Sequence, residues 1–193
     1  MLLKGDMMLL NQEITYVNTN EPSAIGDFSR IFYKTLKNYY VPEKDLILLC
    51  IGTDRVTGDS FGPIMGYKLS RYKLKGVIIY GTLESPVHAK NLSETIETIY
   101  IKHKNPLVVA IDASLGKIEN IGCLTIGEGC LKPGLGVNKQ LPEIGDIFIT
   151  GIVSSSGYTG GYAIQNTRLG IVMKMADIAY YGIINGINRI YSY

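Results

Sequence analysis

Tryptophan is absent from this chain, and histidine and cysteine are scarce: two His and three Cys in 193 residues. An odd cysteine count leaves no complete disulfide framework, and Cys50, Cys123 and Cys130 fit no zinc-motif spacing. We read Cys50 as a small core residue and the compartment as reducing. No apolar run approaches the ~20 residues of a membrane span. The start, MLLKGDMMLL, is too short and too interrupted for the apolar region of a signal peptide. A Lys/Arg block is also missing: 19 basic and 17 acidic residues give a net charge of +2, so direct nucleic-acid binding is not expected. Neither G-x-G-x-x-G nor G-x-x-x-x-G-K-[ST] occurs, so Gly52, Gly58 and Gly62 are read as letting a tight loop cross a sheet edge. These absences leave a cytoplasmic globular protein as the expectation.

What is present is an ordinary apolar share, 46%, in a length suited to one domain with a real core. We expect a single domain over 1–193, with residues 1–24 a peripheral extension; within it EITYVNTN could form an edge strand. Ser23 is placed to cap a helix carrying Phe28, Ile31, Phe32 and Leu36, which Pro42 ends. LILLCIG, 46–52, reads as a strand buried on both faces. The loop TDRVTGDS follows, then a helix from FGPIMGYKLSRYK, with Pro63 tolerated in its first turn. VIIYG, 77–81, is a second strand, and a helix spans about 89–103. LVVAIDA, 107–113, is a third strand. NIGCLTIG and GDIFITGIVSS give a fourth and a fifth, and a long helix covers about 162–190. Alternating strands and helices predict right-handed β-α-β units on a parallel sheet. The short 114–150 segment predicts one antiparallel strand.

Two aspartates stand out. Asp59 lies beyond the first strand, near the start of the next helix, and Asp112 ends the third. With strand order 2-1-3, those strands are neighbours and their helices leave in opposite directions, which opens a crevice at the carboxyl edge. Two carboxylates there cannot both ionise cheaply, so one keeps a proton while the other stays a base. A shared metal ion is the other chemistry open to the pair, and a helix cap or a satisfied structural Asp is the plain alternative. Further residues on the same edge are candidates for lining a substrate cleft: Thr53 and Asp54 in the glycine loop, His88 and Glu84 after the second strand, and Ser154, Ser155 and Ser156 after the fifth. Arg168, in the polar run QNTR, is placed to meet a carboxylate or a substrate terminus. His103, between Lys102 and Lys104, reads as solvated.

Three ordered motifs resemble known families. IGTDRVTGDSFGP, 51–63, resembles the loop of the bacterial spore germination protease, a glycine turn followed by Thr-Pro-Asp, a small residue and Leu-Gly-Pro. VVAIDAS, 108–114, resembles the strand carrying that protease's second catalytic aspartate. LKPGLGVNKQ, 131–140, resembles its Pro-Gly-x-Gly-Val-Asn/Gly-x-Lys element. From about residue 45 to near 182, including QNTRLG, the chain is similar to the YyaC family of sporulation proteins. The resemblance implies that Asp59 and Asp112 are catalytic. It also implies the fold of the hydrogenase-maturation endopeptidases, an α/β/α sandwich on a mixed five-stranded sheet of order 2-1-3-5-4 with strand four antiparallel. The implied activity is aspartate-dependent hydrolysis of small spore proteins during sporulation or germination, inside the spore or forespore. The sequence departs from these families in two places. Thr57-Gly58-Asp59 replaces Thr-Pro-Asp. The maturation enzymes hold nickel with Glu, Asp and His, and no His here follows the fourth or fifth strand to match the third ligand. We therefore expect no metal and no cofactor. A peptide-binding sporulation protein that does not cut, and a metal-dependent hydrolase, are the alternatives. Homo-oligomer formation is left open.

Overall fold

Leu46–Cys50 forms β2, and all five of its side chains are buried, which is what an uninterrupted Leu/Ile run requires of a central strand. The computed structural model describes residues 14–72, 74–133, 141–156 and 164–192. Residues 134–140 of the Pro-Gly-x-Gly element and most of the N-terminal extension lie outside the described residues. In chain order the elements are β1 (Thr15–Asn18), α1 (Ala24–Tyr39), β2, α2 (Phe61–Tyr72), β3 (Val77–Tyr80), α3 (Leu92–Lys102), β4 (Leu107–Gly116), β5 (Cys123–Glu128), β6 (Ile147–Ser155) and α4 (Leu169–Tyr191).

The six strands form one sheet of order β1-β5-β6-β4-β2-β3. β2, β3, β4 and β6 pair in parallel, and β5 runs antiparallel to β6. Without β1 this is the order and the antiparallel strand expected from the sequence. β1 falls within EITYVNTN, the segment read as a possible edge strand, and raises the strand count among the described residues from the expected five to six. It pairs antiparallel with β5, setting Val17 opposite Leu124, and so covers an edge that β5 would otherwise expose. The Thr19 hydroxyl pins the end of this strand by donating to the Gly122 carbonyl at 2.6 Å. Residues 15–18 are therefore part of the sheet rather than peripheral.

Helices cover both faces. α1, α2 and α4 share the larger core with Leu46, Leu48, Val109, Ile111 and Ile149. α3 seals the opposite face, where Leu92 and Ile99 meet Ile47, Leu49, Val108 and Ala110. The α1–α4 contact rests on small residues. A Cβ at Gly182 would overlap the Phe28 ring, so only glycine admits that ring between the helices. Ser23 occupies the position before α1, but its side chain caps no amide. Among the described residues no helix is long and apolar enough to cross a membrane.

Gly62, in the first turn of α2, sits hard against β2. A Cβ there would overlap the Ile51 carbonyl oxygen and its amide, which are backbone and cannot swing aside. Gly62→Ala is expected to destabilise the protein by about 3 kcal/mol, the upper end for overpacking. Urea unfolding checks this, with Gly26→Ala, whose Cβ would meet nothing, as the control.

Candidate active site

The site is built where β2 and β4 lie side by side and α2 and α3 depart to opposite faces, the crevice that open α/β sheets use for ligands. After β2 the chain turns at Gly52, whose φ of +136° suits glycine alone. The Gly52 N–H donates to the Val87 carbonyl at 2.8 Å, and the Thr53 N–H donates to the Asp59 carbonyl at 3.0 Å. The second bond closes 53–59 into a tight loop, and the first ties the start of that loop to the segment before His88. Thr57–Asp59 forms one 3-10 turn, and Ser60 steadies it by donating to the Thr57 carbonyl at 2.6 Å. Asp59 thus precedes α2 by two residues, and among the described residues no α2 amide donates to its carboxylate. The helix-cap explanation of Asp59 loses its basis.

Asp112 lies in β4 opposite Thr150 of β6, and it is 6% exposed. It alternates with Val108 and Ala110, so it faces the α3 side of the sheet. Its Oδ1 accepts the Ala113 N–H at 2.8 Å. Among the described residues no cation pairs with it. Burial, and then the charge on Asp59, push its carboxyl well above the usual range, and the Ala113 amide only partly offsets them. Burial likewise pushes Asp59 up to about 6, against the opposing pull of the Thr53 amide and the His88 ring. Asp59 therefore ionises first, and its negative charge then holds the proton on Asp112. Between the two ionisations the pair is one base and one acid.

Of the residues singled out from the sequence, Thr53 and His88 join this pair. The Thr53 hydroxyl accepts the Arg55 N–H at 3.3 Å, which fixes the turn. The Asn91 side chain locks the His88 loop: it accepts the His88 N–H at 2.8 Å and donates to the Pro86 carbonyl at 3.0 Å. Asp54 and Glu84 are exposed beside their loops. The serines sit elsewhere. β4 continues to Gly116, and Ser154 and Ser155 pair with Leu115 and Gly116. The Ser156 amide and hydroxyl both donate to the Gly116 carbonyl, at 2.9 and 3.3 Å. Ser154 is level with Leu115, three residues and ~10 Å along the strand from Asp112. Arg168 is exposed just before α4, although its neighbours Ile164 and Thr167 pack on Gly58 of the Asp59 loop.

Two groups escape a reading of the sequence. A chain of hydroxyls runs from the site across the sheet, Ser114 to Thr150 at 2.9 Å and Thr150 to Thr125 at 2.7 Å. Polar residues interrupting apolar strands are the available signal. His103 is not solvated, because its Nδ1 lies 2.9 Å from Asp45 and its Nε2 lies 3.1 Å from the Tyr80 hydroxyl. Asp45 is 58 residues away in the chain, so no local pattern marks the pair.

A family model described as "Protein of unknown function (DUF1256)" matches residues 16–182. The chain belongs to this family. A relative of this DUF1256 chain is "Uncharacterized protein YyaC" of Bacillus subtilis (strain 168). It is 45% identical over 181 residues, covering 93% of this chain and 87% of that protein. Among solved structures, the [NiFe] hydrogenase maturation protease HycI from Thermococcus kodakarensis KOD1 is similar in fold. The TM-score is 0.50 at 16% identity, covering 82% of this chain and 99% of that one. The protease-like α/β fold expected from the sequence is thus found.

A nickel site of the maturation-protease kind does not fit the donors of this DUF1256 chain. Its only histidines are His88 and His103, and both precede β4. His103 is committed to Asp45 and Tyr80. Among the described residues no group of three or more His, Cys, Asp or Glu side chains is arranged to hold a metal ion.

Proposed function

We propose that this protein is an aspartate-dependent endopeptidase that cuts spore proteins during sporulation or germination, inside the spore or forespore. The observation that carries the reading is the pairing of Asp59 and Asp112 at the sheet's crevice, where burial raises both carboxyls and the charge on Asp59 holds the proton on Asp112. The YyaC relationship and the maturation-protease fold support it.

In the mechanism, ionised Asp59 removes a proton from a water molecule, which attacks the scissile carbonyl carbon. Protonated Asp112 donates its hydrogen to the carbonyl oxygen and stabilises the charge that develops there. The proton taken by Asp59 then passes to the leaving amine as the C–N bond breaks. Asp112 recovers its proton from the gem-diol as the carboxyl product forms. His88, on the Asp59 side, favours the ionised form of that base.

The test is incubation of purified small DNA-binding spore proteins with wild type and with Asp59→Asn, followed by mass spectrometry for new termini. Products from wild type alone support the proposal. Identical products from both proteins overturn it.

A further inference from the structure

β3 is the outer strand at one end of the sheet among the described residues, and it bonds β2 on one side only. An outer strand presents free N–H and C=O groups along its open side. A cavity of about 290 Å³ lies beside the end of β3, against α3. Its lining includes Tyr80, Thr82, Ser85, Glu94, Thr95 and Thr98, and Glu94 is the one charged side chain among the described lining residues. The cavity offers hydroxyls, one carboxylate and a strand edge, with no cation among the described lining residues.

Its walls are held in place. The Tyr80 hydroxyl is tied to His103 at 3.1 Å, and His103 is tied to Asp45 at 2.9 Å. Thr82 and Ser85 close their turn with two bonds, each of 3.1 Å. Asn91 clamps Pro86 and His88. A groove this well supported loses little freedom when it is filled. It also leads to the aspartates. Val87 lines the cavity, and its carbonyl accepts the Gly52 N–H that starts the Asp59 loop. The next residue, His88, acts electrostatically on Asp59. Two strand spacings, ~10 Å, separate the outer side of β3 from the β2–β4 crevice, which about three extended residues span.

We infer that this groove is the peptide-binding arm of the aspartate site. An extended peptide adds to β3 as a further strand, sets a lysine or arginine side chain against Glu94 and the surrounding hydroxyls, and runs past His88 towards Asp59 and Asp112. The destination rests on the peptidase reading; the binding does not. An acidic side chain in the same place would face Glu94 with no cation among the described lining residues to offset the repulsion.

The test uses the Asp59→Asn, Asp112→Asn double variant, so that binding is read without cutting. Three fluorescein-labelled ten-residue peptides of alternating Val and Thr carry Lys, Gln or Glu at one central position, and anisotropy gives each Kd. The expected result is tightest binding for the Lys peptide and weakest for the Glu peptide, with about two- to fivefold between successive peptides, the size of a partly exposed ion pair. Glu94→Lys should reverse the order, and amide exchange at 79–82 should slow when the Lys peptide is bound. No saturable binding, equal affinities, an order unchanged in Glu94→Lys, or protection that spares 79–82 would each overturn the inference. The expected binding pattern in a protein whose wild type never cleaves peptides would uphold the groove and sink the peptidase reading. Cleavage by wild type that ignores the Lys/Glu choice would do the opposite.

Discussion

Asp59→Asn and Asp112→Asn are each expected to slow peptide hydrolysis by a factor of roughly 10²–10⁴, the usual contribution of a positioned acid or base. Asn keeps the shape of the side chain and removes the proton chemistry. The two residues act on one proton inventory, so the double variant should be little worse than either single one. The wild-type rate should rise with pH as Asp59 loses its proton near pH 6. It should fall again at higher pH, when Asp112 gives up the proton that burial and the charge on Asp59 hold on it. A kcat/KM profile over pH checks both limbs, and each limb is assigned by the single variant that removes it. Two equally active variants would leave the pair without a catalytic role.

The same substitutions should make the protein more stable. In the unfolded chain Asp59 titrates near 3.8, and in the folded protein it titrates at about 6. A carboxyl whose folded value is raised binds its proton more tightly in the folded state. It therefore costs nothing below the unfolded value, and it loses stability as pH rises through the window from 3.8 to about 6. Asn carries no charge to bury. Asp59→Asn is expected to match wild type near pH 3.5 and to exceed it by about 2 kcal/mol at pH 8, because a tenfold change in proton affinity corresponds to about 1.4 kcal/mol and partial exposure trims the sum. For Asp112→Asn the gap should keep widening to higher pH, since its carboxyl holds its proton further up the scale. Urea unfolding at several pH values measures both gaps. A protein that gains stability as it loses activity is the signature of a strained functional site. A gap that does not change with pH would mean that neither carboxyl is perturbed.

The sheet is legible in the sequence because the β2, β4 and β6 segments are apolar runs that only a covered parallel sheet can bury, and an Asp at the end of LVVAI is conspicuous in such a run. β1 is harder to read, because of its four residues only Val17 is buried and its place depends on β5, more than 100 residues away. Ending β4 at Ala113 puts the serines after β6 at the crevice, which is where the pattern misleads. The continuation of β4 to Gly116 is driven by pairing with β6 across a register shift at Ser114/Leu115, which sequence periodicity does not encode. The long helix starts later than its pattern suggests, since Arg168 and the polar residues before it precede α4 rather than opening it. The lysines beside His103 point to solvent, but side-chain pairing over 58 residues leaves no local trace.

The shared proton is tested most directly by a ¹³C NMR titration of the aspartate carboxyls in wild type and in Asp59→Asn. The Asp59 carboxyl is expected to titrate at about 6, and Asp112 well above the usual carboxylate range and after Asp59. The Asp112 value should drop in Asp59→Asn, where the neighbouring charge is gone. Two carboxyls that titrate independently near 4, with Asp112 unmoved by the substitution, would contradict a shared proton and with it the proposed chemistry.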